Sequence, residues 1–492
     1  MQTTSSSAFR RAGRTTALLG VSALGAGLLV GCAAVPHGGP RDAPRLHAAS
    51  AAGMGLNADA PPVIVAPDWW HGLNDPQLDR IIADALEGNP GLQQAMARLA
   101  TAQSAIETAR ARQLPSASAG ASTEYQRFSE KSIYPPPYAG NWYWMSNATG
   151  DVSWSLDIAG RQKAMVDAAA AHVRASGLET QAARVALAGS IAQTYVNLAR
   201  AEAQAGLARD FVTSREAGLK VVQARVQAQL ATGIDVAAAQ TLLAEARQAQ
   251  VRAEGARDLM VHALAALAGR GADYYATITA PTLRLDTPMV VPQVLPADLL
   301  ARRADIQAAR QRIEMASAAQ RVARAAFYPD VDLHAFVGAS ALGLGSLATP
   351  GALTAGAGPA VHLPLFQGGA LRARYRAATA GIDQMIATYN ETVVGAVRDT
   401  ADALSAIQTN ARDADQARAV IAGLERTVAL DHVRLQSGLA MRLDVLNAGE
   451  RLLAARQGAV DIAADGQIRR IQLLIALGGG FTPIPAAAPG QR

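Results

Sequence analysis

Residues 383–438 read DQMIATYNETVVGAVRDTADALSAIQTNARDADQARAVIAGLERTVALDHVRLQSG, with an apolar or small residue at every seventh position. The series runs Ile386, Val393, Thr400, Ile407, Ala414, Ile421, Val428, Leu435. This period keeps one seam against a neighbouring helix over many turns. At ~1.5 Å per residue, residues 369–435 predict a rod of roughly 100 Å. A rod of this length predicts a coiled coil or the wall of a larger assembly.

The rod is predicted to turn at Gly438, because glycine readily adopts the left-handed conformation that ends a helix. Asp444 can then cap the following helix. The return leg keeps the heptad spacing, breaks at Gln467 and resumes before residue 477. Residues 369–477 therefore predict a long antiparallel helical pair.

The N-terminus predicts an export signal. A basic segment is followed by an apolar run over residues 17–30, which is too short to span a bilayer stably. The run ends in Leu29-Val30-Gly31-Cys32, which resembles the lipobox of bacterial lipoproteins. Residues 1–31 are thus predicted as a lipoprotein signal peptide, Cys32 as the lipidated residue, and 32–67 as a lipid-anchored tether. In lipoproteins, Ala33 in place of Asp implies the outer membrane.

Composition and motifs exclude several classes of function. Residues 1–31 contain three arginines and no acid, so the formal charge of +5 falls to +2 (5 − 3) once the signal is removed. That charge predicts no nucleic-acid partner. The eight histidines are scattered and the chain has one cysteine, so no metal site, cofactor or catalytic cluster is predicted, and we expect no enzyme.

Two segments of the sequence show the alternation of residue character that is typical of the strands of a β-hairpin. Residues 116–159 contain weak alternation, an aromatic Pro-rich stretch taken as the loop, and renewed alternation from Val152. Residues 330–366 contain a similar pair of segments around a Gly-rich loop over residues 342–351. The aromatics fit a girdle at a lipid–water boundary. A soluble hairpin covering a helical bundle fits these residues equally well.

The two halves of the chain share the same predicted order of structural elements. Asp235-Val236 and Leu243 align with Asp444-Val445 and Leu452 at an offset of 209. We predict a first repeat at 68–279 with hairpin 116–159 and a helical pair at 161–268 that turns at Thr232-Gly233. A Pro-rich linker at 280–296 follows. The second repeat at 297–480 has hairpin 330–366 and the pair at 369–477, and 481–492 form a tail.

Several motifs resemble those of the outer-membrane efflux proteins, the lipidated channel components of tripartite drug-export systems. They are LPADLLARRADI (295–306), AAFYP (325–329), LPLFQGG (363–369), LDVLNA (443–448) and ALGGG (476–480). Ala304 stands where the family usually has proline. The resemblance implies a mainly α-helical homotrimer whose long helices form a periplasmic coiled-coil barrel. This helical barrel would continue into a transmembrane β-barrel to which each protomer contributes four strands.

The resemblance also implies function and partners: a passive conduit for drugs or other small molecules. It would receive them from an inner-membrane transporter and its periplasmic adaptor, and sit in outer-membrane lipid. The alternative is a lipid-anchored periplasmic coiled-coil adaptor or structural protein, although no biotinyl-lipoyl-like domain separates the helices. Pro359 lies inside the last strand, where a closed barrel has no free edge for proline, which predicts a later start for that strand.

In the family, acidic residues near the helical turns narrow the tunnel and an arginine helps to close it. The matching positions are Asp235, Asp444 and Asn447, and Arg442 is expected to be the only arginine near the second turn. An Asp that begins a helix also caps free N–H groups. Both interpretations of these residues, a periplasmic gate and a helix cap, remain open at this point.

Overall fold

The structure is a computed structural model that describes residues 39–41, 43–44, 65–291 and 303–481. The predicted signal peptide with Cys32, most of the tether, the end of the linker, the start of the second repeat and nearly all of the tail lie outside the described residues.

The described chain is built from seven α-helices and four strands, with lengths of the long helices that match between its halves. In chain order these are α1 (Pro76–Gly88), α2 (Pro90–Ala111), β1 (Ser116–Arg127), β2 (Trp142–Leu156), α3 (Arg161–Gln227), α4 (Gly233–Leu267), α5 (Ala304–Ala325), β3 (Asp330–Leu342), β4 (Leu353–His362), α6 (Ala370–Gln436) and α7 (Arg442–Ala476). Helices α3 and α6 each have 67 residues, and α4 and α7 each have 35. The mainly α-helical fold with one small antiparallel sheet confirms the predicted class.

The chain divides into two compact units. The sheet unit comprises Ala100–Ala175 and Arg310–Thr388, together with the described residues before Arg45. The core unit comprises the described residues of 45–99, Ser176–Ala309 and Tyr389–Arg492. The sheet unit holds all four strands, and the core unit holds both helical turns.

The sheet has the strand order β1-β2-β3-β4, and each neighbouring pair is antiparallel. In the described protomer β1 and β4 each have one partner, so the sheet ends in two open edges. Two hairpins alone therefore do not close this sheet.

Three strand limits differ from the sequence prediction. Strand β2 begins at Trp142, ten residues before Val152, so the residues Trp142 to Trp144 belong to the strand and not to the loop. The small residues over 146–150 hid the alternation. Strand β4 ends at His362, before the predicted end at 363–366. Pro359 lies inside β4 opposite Leu333, so the strand does not start later. In this protomer β4 is an edge strand, where a missing N–H is tolerated.

The register separates the side chains of the sheet into two contrasting faces. The apolar face carries small aliphatic residues in its middle and aromatic residues towards its ends. Its polar side chains are Arg127 at one end and the hydrogen-bonded pair Thr123 and Ser146, whose hydroxyl oxygens lie 2.9 Å apart. The opposite, polar face carries residues such as Ser118, Asn147, Thr149, Asp151, Asp332, His334 and Ser340.

Aromatic side chains mark both ends of the apolar face. Tyr125 lies 5.3 Å from Trp142 and 5.2 Å from Trp144, measured between ring centroids. Ten residues further along β2, the indole of Trp154 donates to the carbonyl of Gln113 at 3.0 Å. Between these ends the face is exposed, with Val337 58% and Leu353 69% accessible.

The core unit is held by apolar packing around two buried glutamines. Its buried cluster combines α1, α3, α4 and α7 with the linker: Leu78, Ile81, Ile82, Ile191, Tyr195, Leu264, Ile278, Met289 and Ile471. Gln77 Oε1 accepts from Thr279 N at 2.9 Å, and its Nε2 donates to Thr279 O at 2.9 Å. Gln467 similarly accepts from Met289 N at 3.1 Å and donates to Thr287 O at 2.7 Å. The heptad break at Gln467 is therefore a position where a side chain binds the linker backbone.

The helical turns use left-handed residues 209 positions apart. Gly438 has φ 72°, as predicted, but its counterpart is Gln229 with φ 58°. Gly233, predicted as the first turn, is the first residue of α4. The bond from Leu230 N to Arg225 O and that from Leu439 N to Arg434 O are both 2.8 Å long. A glutamine was not expected here because it has a Cβ, which disfavours positive φ.

In the described ranges 65–291 and 303–481, none of the helices combines the length and the hydrophobicity needed to cross a membrane.

The two turns predict opposite responses to substitution. Gln229→Gly removes the Cβ strain of the left-handed residue, whereas Gly438→Ala introduces it in open space. Each change should alter local stability by about 1 kcal/mol, or about fivefold in opening. Hydrogen–deuterium exchange should slow at Leu230 in the first variant and accelerate at Leu439 in the second. Changes of the same sign would contradict this assignment.

Candidate functional site

Asp235 and Asp444 both lie in the first turn of their helices, as the sequence predicted. Asp235 Oδ2 accepts from Thr232 N at 2.7 Å and from the Thr232 hydroxyl at 2.9 Å. Asp444 Oδ2 accepts from Met441 N at 2.8 Å. The hydrogen bonds from the Thr232 backbone and side chain lower the pKa of Asp235. Both aspartates therefore cap helices, and both are also exposed.

A groove of about 270 Å³ in the core unit brings two of the predicted residues together. Asp235 from α4 and Asn447 from α7 line it, beside Arg215 and Glu450, which the sequence analysis had not singled out. Leucines from the turns and helices form its apolar part. Asp444 and Arg442 are not among its lining residues.

An ion pair across this groove joins α3 to α7. Arg215 Nη2 lies 3.0 Å from Glu450 Oε2, and the two side chains are only 27% and 14% exposed. Burial raises the pKa of Glu450, although Arg215 and a hydrogen bond with Ser214 act in the opposite direction. The pair therefore exists in a partly desolvated site, where an unpaired charge is costly.

The same two helices meet in further polar contacts. Arg200 of α3 bonds to Asp465 and lies 3.8 Å from Asp461. Gln204 Nε2 donates to Asp461 at 2.6 Å. Together with Arg215 and Glu450, these residues form the α3–α7 seam, in which α3 supplies the cations and α7 the carboxylates. The periodicity of one helix could not reveal it, because the pairs join residues more than 200 positions apart.

Arginines at the ends of α3 and α6 also reach the turns. Arg225 Nη2 donates to Leu230 O, and Arg434 Nη2 donates to Leu439 O, each at 3.4 Å. The charge of Arg225 is a further cause of the lowered pKa of Asp235. The expectation that Arg442 is the only arginine near the second turn was therefore wrong, because the side chain of Arg434, two residues before the end of α6, reaches the turn.

Arg442 is exposed in the first turn of α7. Among residues 65–291 and 303–481, its side chain makes no hydrogen bond or ion pair. The predicted bridge from Arg442 to a neighbouring helix is therefore not made among the described residues.

The sequence matches the family model described as "Outer membrane efflux protein" over residues 81–270 and 295–479. The fusaric acid resistance protein FusA of Burkholderia cepacia is 34% identical over 360 residues, which cover 72% of this chain and 68% of the relative. Outer membrane protein OprJ of Pseudomonas aeruginosa is 30% identical over 84% of this chain and 86% of its own length.

Solved structures agree with this match. The outer membrane protein VceC of Vibrio cholerae aligns with a TM-score of 0.77 and 32% identity, over 85% of this chain and 100% of that chain. The open state of the MtrE outer membrane channel of Neisseria gonorrhoeae aligns with a TM-score of 0.76 and 25% identity, over 91% of this chain and 98% of that chain.

The fold thus defines a class of protein in which a four-stranded antiparallel sheet is combined with two long helical pairs. The chain belongs to the outer membrane efflux protein family. This confirms the resemblance read from its motifs.

The raised pKa of Glu450 predicts the direction in which folding stability changes with pH. The folded state binds this proton more tightly than the unfolded chain, so the contribution of Glu450 to stability is fully present below its ordinary pKa of 4.5. That contribution is lost as the pH rises through the higher folded value. Acidification from pH 7 towards pH 5 should therefore raise the Tm of wild type relative to Glu450→Gln.

Glu425→Gln is the matched control, because Glu425 of α6 pairs with Arg456 of α7 at 3.0 Å while both side chains are about half exposed. Thermal unfolding across the pH range should show a smaller difference for this variant, since solvent screens the pair. If the wild-type advantage over Glu450→Gln shrinks on acidification, the attraction of Arg215 outweighs burial and the assignment fails.

Proposed function

We propose that this protein is the outer-membrane channel of a tripartite efflux system, a passive conduit for drugs or other small molecules. The observation that carries the proposal is the exposed apolar face of the sheet with aromatic residues at both ends. An exposed apolar face of this kind is typical of a membrane-facing strand surface.

The dimensions of the apolar face support a membrane position. Trp144 and Trp154 are ten residues apart on β2, which corresponds to ~33 Å along a strand. A strand tilt of ~40° reduces this to a height of ~25 Å, the usual height of the lipid-facing band of such barrels. The central residues between them are small and apolar.

The open edges support a trimer. In lipid, the unpaired N–H and C=O groups of β1 and β4 have no water to bind, so they need partner strands. Three copies would supply twelve strands and enclose a lumen wider than side chains can fill. The polar face of the sheet would then line that lumen.

The proposed partners are a periplasmic adaptor and an inner-membrane transporter. The family match and the efflux and resistance names of the relatives support this assignment. The runner-up, a lipid-anchored periplasmic adaptor, leaves the apolar sheet face without a role. We propose no catalytic step, because the conduit needs only a passage and a means of closing it.

Cys32 is proposed as the lipid attachment site. It is the only cysteine in the chain and it ends the lipobox-like run. Cys32→Ser should abolish incorporation of labelled palmitate and leave the precursor uncut. The inserted trimer should still form, because a single acyl chain adds only marginal membrane binding. Palmitate labelling of the variant would refute the assignment.

The gate proposal assigns Asp235, Asp444 and Asn447 to the narrow periplasmic end of the passage, with Arg442 bridging to a neighbouring protomer. Capping uses Oδ2 of each aspartate in the observed bonds, so a cap and a lumen-facing carboxylate are compatible roles. Three symmetry-related copies would form rings of carboxylates that favour cations.

Single-channel recording in planar bilayers tests the channel and its gate together. We expect ion-conducting trimers, weaker cation selectivity in Asp444→Asn, and higher resting conductance in Arg442→Ser. Asn retains a capping oxygen, so Asp444→Asn should fold. Unchanged selectivity and conductance in both variants would leave Asp444 as a cap alone. Absence of any channel in wild type would overturn the proposed function.

A further inference from the structure

The loop between β1 and β2, residues 128–141, has a defined internal structure. Phe128 N donates to Asn141 O at 3.0 Å, and Gly140 N donates to Phe128 O at 2.9 Å. The side chain of Asn141 donates to Pro137 O at 2.8 Å. Arg127 Nε donates to Gly140 O at 3.0 Å. We call these residues the aromatic loop, because they contain Phe128, Tyr134 and Tyr138.

The aromatic side chains of the loop pack on the polar face of the sheet. Tyr143 shares that face with Met145 and Asn147 in the β2 register. The Phe128 ring lies 4.6 Å from Tyr134 and 6.2 Å from Tyr143, measured between centroids, and is only 5% exposed. Tyr138 lies 5.6 Å from Tyr143.

A hydrogen bond from the Tyr143 hydroxyl to Pro137 O, 3.2 Å long, adds to this packing. These ring contacts and this hydrogen bond fix the loop to the polar face, whereas the stacked cluster around Tyr125 occupies the apolar face. Arg127, whose side chain belongs to the apolar face, also binds the loop at Gly140 O, so it is the aromatic side chains that hold the loop on the polar face.

The tip of the loop presents unpaired apolar surface. Ile133 is 92% exposed, and Tyr134 and Tyr138 remain 40% and 38% exposed although their rings pack on Phe128 and Tyr143. The loop between β3 and β4, residues 343–352, is of different composition and contains no aromatic residue. Of the two hairpins in the described sheet, the first alone thus combines an exposed aliphatic tip with aromatic support.

We propose that the aromatic loops of three copies meet over the outer mouth of the lumen and form an apolar lid, with Ile133 at its centre. The occupant of each exposed tip is the same loop of the neighbouring copies. This inference rests on the proposed trimer, in which the polar face lines the lumen. A loop whose aromatic side chains pack on the polar face then leans towards the lumen.

The dimensions permit contact at the axis. Twelve strands spaced ~4.8 Å apart and tilted ~40° give a circumference of ~75 Å and a radius of ~12 Å. Half of the loop, about seven residues, spans at most ~23 Å when extended, so a folded loop needs about half of its maximum reach. Contact removes the Ile133 side chain from water and favours closure. An apolar constriction of this kind blocks hydrated ions by dewetting.

Ile133→Cys tests the lid. The natural chain has Cys32 as its only cysteine, so unmodified wild type is the background control. Assembly is measured first, by native mass spectrometry of the detergent-extracted variant. Mild oxidation should then yield a disulfide-linked dimer and a residual monomer on denaturing gels, because one disulfide joins two of three thiols. Leu344→Cys, at a position 69% exposed in the other hairpin loop, is the matched control and should give no dimer.

Conductance provides a second measurement. Replacing residues 132–138 by a Gly-Ser segment of equal length should raise single-channel conductance, while the same replacement over 344–350 should not. An Ile133→Cys trimer whose introduced thiols react fully with maleimide, yet form no dimer, would overturn the lid while leaving the channel intact. A protein that forms no trimer would overturn the lid and the proposed function together.

Discussion

The pairing of backbone groups at the sheet edges is the constraint on which the rest of the structure depends. The protomer contributes four hydrogen-bonded strands but leaves the outer edges of β1 and β4 open. Its apolar face suits lipid, where an open edge is most costly. In the proposed channel, assembly follows from the hydrogen-bonding requirement of the backbone, and the two-faced side-chain pattern determines which surface would face lipid and which would face the lumen.

The helical part meets a related requirement by different means. Helices of 67 residues form their backbone hydrogen bonds internally, so what they require from their neighbours is side-chain packing. The α3–α7 seam joins the two helical pairs of one protomer through Arg200, Arg215 and their carboxylate partners. In the core unit, Gln77 and Gln467 bind the linker backbone as a neighbouring strand would. Polar side chains within apolar contacts thus specify how the helices align and where the linker region is held.

Much of this fold could be predicted because it depends on periodic signals. The heptads indicated the second helical pair and the repeat at an offset of 209 indicated the first, and the capping positions of Asp235 and Asp444 followed from their places after the turns. The predictions failed where the structure depends on features that a local sequence pattern does not encode. Strand β2 begins ten residues early because its small residues carry little periodic signal, and Gln229 adopts a conformation that its residue type disfavours. The pair Arg215–Glu450 requires knowing which helices are neighbours.

The central claim is that the four-stranded sheet is completed only by other copies of the same chain. Native mass spectrometry of the detergent-extracted protein tests it most directly. We expect a trimer that persists on dilution, with no folded monomer, because dissociation would expose six strand edges. A monomer that remains folded in detergent, with the sheet protected from amide exchange along both edges, would contradict it.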